Sequence, residues 1–203
     1  MLELYIARHG QTEWNVAGRM QGWLNSPLTE KGIESADQLG QELQSISFDA
    51  YYSSPSERAY KTLEIAIGDS TKIVCDERLK EIGLGAWQGM LVKDIEANDP
   101  ERFRQYFYEP ENFSIEEGEN YFTLYDRVHA FTEDIKHRHF KKGVKQRVII
   151  ITHGITLMML RLIFHNGTIE NIRDYHVAGN AKLHVYQFDG NAFKCIKEPK
   201  VEF

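Results

Sequence analysis

Cysteine is scarce in this chain of 203 residues: Cys75 and Cys195 are the only two, far apart and outside any CxxC or CxxxC pattern. That argues against a disulfide framework and against a thiolate metal site, and it fits a reducing, cytoplasmic compartment. Five prolines and fifteen glycines rule out a collagen-like or low-complexity chain. Positive charge is also short, since 24 Lys and Arg against 30 Asp and Glu leave a net −6. No stretch gathers enough of it for a phosphate-backbone stripe, so no nucleic-acid partner is expected. The cluster Lys141, Lys142, Lys145 and Arg147 reads as a solvated helix end. Long apolar runs are missing too. Segments 148–151 and 155–164 are too short, or interrupted by Arg161, to cross a bilayer. Met1-Leu2-Glu3-Leu4-Tyr5 has no basic region ahead of an apolar stretch, unlike a secretory signal. A soluble protein without a membrane partner is expected.

What the chain does contain is ordinary globular material, 42% hydrophobic and 27% charged, enough for one compact domain over 1–203. Leu2 to Ala7 reads as a strand that stops at Arg8-His9-Gly10, where the glycine marks a sharp turn. Thr29 is a plausible N-cap for a helix carrying Ile33, Ala36, Leu39 and Leu43 on one face. A strand at 49–53 leads through Ser54-Pro55-Ser56 into a second helix with Arg58 in its first turn. A third strand is expected at 72–75. From about 84 to 125 the strand–helix rhythm is lost and aromatic residues accumulate, which reads as a helical lid insertion. A helix over about 118–140 follows, then the buried strand 147–152, which stops at His153-Gly154. A helix over 155–164 and strands near 183–188 and 193–196 complete the chain. This order predicts a three-layer α/β/α sandwich with a mostly parallel central sheet, and such sheets bind ligands at the carboxyl ends of their strands.

Three segments put charged groups just past strand ends: Arg8-His9, Ser53 to Arg58, and His153-Gly154. Two guanidiniums and two imidazoles at one sheet edge suit a compact oxyanion, because Arg binds phosphate through paired charge-assisted hydrogen bonds. The amides opening the helix after His153 would point at the same place, and Asn15, Gln21 and Gly22 could add neutral donors. No carboxylate cluster or P-loop pattern indicates a metal or other cofactor, so the protein's own cations would have to polarise the phosphoryl group. His9 is the best candidate nucleophile, since neighbouring positive charge favours its neutral form. Glu81 is a candidate proton donor to the leaving alkoxide, with Glu77 and Asp76 as rivals.

Arg8-His9-Gly10-Gln11-Thr12-Glu13-Trp14-Asn15 resembles the RHG signature of the histidine phosphatase superfamily, which includes cofactor-dependent phosphoglycerate mutases and broad-specificity phosphatases. The resemblance spans nearly the whole chain, through Arg19-Met20-Gln21-Gly22, the stretch from Ser26 to Gly32, Ser53 to Ala59, Leu79 to Gly89 and Thr152-His153-Gly154. It implies a phosphoglycerate mutase-like fold and a metal-independent phosphomonoester hydrolase. It further implies that His9 becomes phosphorylated, that Glu81 donates the proton, and that Arg8, Arg58 and His153 clamp the phosphate. Asn15, Gln21 and Gly22 would contact the phosphoryl group or its neighbours.

The alternatives are a phosphoglycerate mutase, or a catalytically idle phosphoester-binding module. Mutases resembling this family are usually longer and carry extra basic residues in the insertion. Here 90–125 is short and acidic, with Lys93, Arg102 and Arg104 against eight carboxylates, an arrangement that repels a bisphosphorylated ligand. The blocks around Glu81 and Glu119 also resemble the phosphatase branch, with two departures: Gln88 where a second Glu is common, and Asn120 in place of Ser. The expected partner is a small phosphomonoester, and the chain could be a monomer or a homodimer. His129, His165, His176 and His184 read as structural, and His137 and His139 point to different helix faces, which argues against a shared metal. Trp14 and Trp23 read as scaffold for Asn15 and Gln21, and the aromatics of 103–131 as packing.

Overall fold

In a computed structural model, described here for residues 1–177 and 179–199, six strands form one sheet in the order β3-β2-β4-β1-β5-β6. The strands are β1 (Leu2–Arg8), β2 (Ala50–Ser53), β3 (Ile73–Cys75), β4 (Gln146–Thr152), β5 (Leu183–Phe188) and β6 (Phe193–Lys197). The first four are mutually parallel, and β5 and β6 are antiparallel additions. This is the mostly parallel α/β arrangement expected.

Alternation along β1 and β4 divides the core. Leu2, Leu4, Ile6, Val148 and Ile150 face α6 (Tyr121–His139) and α7 (Gly154–Phe164). Tyr5, Ala7, Ile149 and Ile151 face α2 (Glu30–Leu43) and α3 (Glu57–Ile67). Each face is covered by a helix pair, so β4 is apolar on both sides because both sides are buried. The remaining helices are the short α1 (Glu13–Ala17), which the sequence reading passed over, and α4 (Val92–Asn98) and α5 (Pro100–Tyr108) within the aromatic segment. Tyr106, Phe113 and Tyr121 pack there as a buried aromatic cluster.

Register decides where the chemistry lies. Arg8 sits opposite Thr152, and Ser53 opposite Ile151, so three adjacent strands end level. His9 N–H then donates to Thr152 O and Ser54 N–H to Ile151 O, which brings His9, His153 and Ser54 to one edge of the sheet.

Three expectations need correction. Ile33 is exposed rather than on the buried face of α2, whose inner side is Ala36, Leu39 and Leu43. The basic cluster is not a helix end: α6 stops at His139, and Lys145 and Arg147 pair with Glu3 on β1. Gly10 does not take a left-handed turn. It is needed for contact instead, since a Cβ there would lie 2.5 Å from Gly32 O, and one on Gly32 would lie 2.1 Å from Gln11 O. Two bare backbones press the strand tip onto the start of α2. Gly32→Ala should therefore cost about 1–3 kcal/mol by overpacking in urea unfolding; an unchanged midpoint would show that the contact relaxes freely.

Candidate active site

At the shared edge lies a cavity of about 230 Å³ whose wall includes Arg8, His9, Asn15, Arg19, Gln21, Arg58 and Glu81. Three guanidiniums face one carboxylate, so the cavity is locally positive in a chain that is net acidic. His9 is almost fully buried. Its Nδ1 lies 2.7 Å from Gly10 O, and Arg58 Nε–H donates to its Nε2 at 3.3 Å. A carbonyl can only accept and a guanidinium only donate, so the proton sits on Nδ1 and the lone pair on Nε2. Burial first, and then the charges of Arg8 and Arg58, hold this imidazole neutral, well below its usual value of 6.5.

Arg58 is buried in the first turn of α3. Its Nη1 donates to Leu24 O and its Nη2 to Gly22 O, so one cation gathers the loop after β1 around itself. Gly22 adopts a left-handed φ of 50°. The adjacent Trp23 N–H donates to Gln88 Oε1 at 2.6 Å. Gln88 thus secures the strip of backbone that holds Arg58. Arg8 lines the cavity with its Nε buried and without a partner among the described residues.

Glu81 is fixed tightly. Its carboxylate accepts the amides of Ile155 and Thr156 at 3.2 and 3.1 Å, besides that of Ile82. These two amides open α7, so they are occupied by Glu81 and do not present themselves to a ligand, contrary to the expectation for that helix start. Glu77 and Asp76 lie elsewhere: Glu77 pairs with Lys80, and Asp76 pairs with Arg78. His153 does not line the cavity. It is buried with its ring centroid 5.2 Å from that of His9 and its Nε2 2.8 Å from Ser54 Oγ, while its Nδ1 has no partner among the described residues. Burial and the neighbouring cations push it, too, well below the usual range.

Among the described residues no group of three or more His, Cys, Asp or Glu could hold a metal ion, and no helix is long and apolar enough to cross a membrane.

A family model for the histidine phosphatase superfamily (branch 1) matches residues 4–198. The chain belongs to this superfamily. Phosphoserine phosphatase 1 of Hydrogenobacter thermophilus is 37% identical to it over 158 residues, covering 77% of this chain and 73% of that protein. A protein of Salmonella choleraesuis named "Probable phosphoglycerate mutase GpmB" is 34% identical over 77% of this chain and 72% of its own length. Among solved structures, YhfR of Bacillus stearothermophilus shares 35% identity with a TM-score of 0.91, over 100% of this chain and 98% of that one. This histidine phosphatase superfamily member is thus similar to enzymes bearing phosphatase names and to others bearing mutase names.

Several supporting residues escaped the sequence reading. Thr12, fully buried, caps α1 by accepting Asn15 N–H, and also accepts Gln21 Nε2–H. It is this threonine, rather than Trp14 or Trp23, that holds Asn15 and Gln21; Trp23 instead donates its indole N–H to Glu81 O. Arg127 pairs with Glu119 and donates to the carbonyls of Arg78, Lys80 and Glu81, fixing the loop of the acid. Nothing local in the sequence marked Arg127, since its partners lie on a distant segment. Asn120 caps α6 by accepting Thr123 N–H, a task that Ser also performs.

At pH 6 the imidazole ¹⁵N shifts of His9 and His153 should both report neutral rings, and a protonated ring at that pH would overturn the tautomer given above. The unfolded chain protonates these rings near 6.5 and the folded chain only well below. Stability contributed by their neutrality is therefore lost progressively as pH falls through that window.

Proposed function

We propose that this chain is a metal-independent phosphomonoesterase working through a phosphohistidine on His9. One observation carries the reading: the hydrogen bonds of His9 leave a lone pair on Nε2 beside the cationic Arg58 on the cavity wall. Nε2 attacks phosphorus and the ester P–O bond breaks, with Arg8 and Arg58 meeting the charge on the equatorial oxygens. Glu81 gives the departing alkoxide its proton and, in the second half, takes one from the water that attacks the phosphohistidine; the products are the alcohol and inorganic phosphate. Asn15, Gln21 and Gly22 line the same end of the cavity and would contact the phosphoryl group. His153 would join the clamp through Nδ1–H, with Ser54 Oγ–H donating to its Nε2.

The segment over about 84–125 acts in this reading as a lid within a single domain, lending Leu84 and Tyr106 to the wall. Hydrolysis is favoured over mutation of phosphoglycerate because none of Lys93, Arg102 and Arg104 reaches the cavity. Arg102 is paired with Asp99, and Arg104 with Glu101 and Glu109.

In EDTA, the protein should release inorganic phosphate from phosphomonoesters and take up one acid-labile phosphoryl group, and His9→Ala should lose both while keeping its circular dichroism. Retained turnover in that variant, or 3- to 2-phosphoglycerate isomerisation that depends on 2,3-bisphosphoglycerate, would defeat the proposal. Gln88→Ala, by freeing the loop that holds Arg58, should lower kcat/KM several-fold, about 1 kcal/mol for one lost hydrogen bond. Gln88→Glu, which keeps an acceptor there, should retain most of the activity; equal losses in both variants would show that Gln88 does not act through Trp23.

A further inference from the structure

Beyond the phosphoryl end, the cavity changes character. Its outer wall is built by Met20, Leu84, Tyr106, Ile155, Met158 and Val177, brought together from five separate parts of the chain. Two thioethers, three aliphatic side chains and a phenol surround the space that the alcohol half of an ester must occupy. Burial pushes the Tyr106 phenol up to about 12, so it stays uncharged. Arg19 is the one cation of the wall away from the phosphoryl cluster, and its Nη1 is already committed to Gly89 O.

A serine or glycerate leaving group carries a carboxylate, and serine an ammonium as well. Either would give up water for sulfur, methyl and ring surfaces with no paired charge in return. An apolar alcohol gains on leaving water for the same surfaces. The volume, about 230 Å³ including the phosphoryl end, falls below the roughly 300–1,000 Å³ of drug-sized ligand sites, which limits the alcohol to a small one.

We infer that the substrates of this site are phosphate monoesters of small, uncharged, apolar alcohols, with Met158 and Leu84 selecting against charged leaving groups. The inference rests on the phosphatase reading and deepens it. Wild-type protein is assayed with benzyl phosphate, O-phosphoserine and 3-phosphoglycerate, three esters of primary alcohols, so that an activated aryl leaving group does not decide the comparison. Benzyl phosphate should lead in kcat/KM by at least about tenfold, the ratio that separates even modest hydrophobic discrimination from none. The difference should lie mainly in KM. Met158→Lys, checked for folding by circular dichroism, should raise KM for benzyl phosphate and lower it for phosphoserine, shrinking the ratio. Equal or better use of phosphoserine or phosphoglycerate by the wild type overturns the inference while leaving the phosphatase reading intact, as does an unchanged ratio in folded Met158→Lys. Failure to hydrolyse any of the three, with no phosphoryl group on His9, overturns the phosphatase reading and this inference together.

Discussion

Arg58 is 1% exposed, and its guanidinium meets two backbone carbonyls and one imidazole but, among the described residues, no carboxylate at ion-pair distance. Burying an unpaired charge costs several kcal/mol even after the protein relaxes, and here burial draws the group down to about 10. Much of the neighbourhood is arranged to sustain that cation. The loop after β1 turns its carbonyls inward onto it, Asn25 Oδ1 accepts its backbone N–H at the start of α3, and His9 stays neutral beside it. A dianion entering the cavity supplies the charge that the fold leaves out, so affinity for the phosphoryl group and the state of the nucleophile share one cause.

What could be read from the sequence and what could not follows the range of the interactions. Residues one step beyond a strand, such as His9 and His153, were legible because their place depends on local pattern and on the shared edge of a parallel sheet. The apolar run of β4 revealed a buried strand, and Thr29 a helix start, for the same reason. Long-range roles were not legible. Arg127 gains its meaning from carbonyls some fifty positions away, and Gln88 from a single N–H in the first loop. Ile33 misled because its spacing fits the apolar face, yet nothing packs over that end of α2. Gly10 misled differently, since a glycine after a strand signals a turn unless another backbone happens to occupy the space of its Cβ.

The start of α7 shows how the site divides its work. A helix N-terminus is a ready anion site, and phosphate-binding folds often use it so. Here the amides of Ile155 and Thr156 hold Glu81. The dipole is thereby spent on keeping a carboxylate in one place, where a proton donor that must meet the leaving oxygen needs to be. The phosphate charge is then left to side chains, which accounts for two arginines at the strand edge where a helix end alone might otherwise serve. Local charge of this kind acts only at close range, because fields beyond about 8–10 Å are screened at ordinary salt. A net −6 surface and a positive cavity therefore coexist without contradiction. Recognition at the inner end is general to any phosphoryl group, and whatever selectivity the protein has must come from the outer wall, where charge gives way to packing.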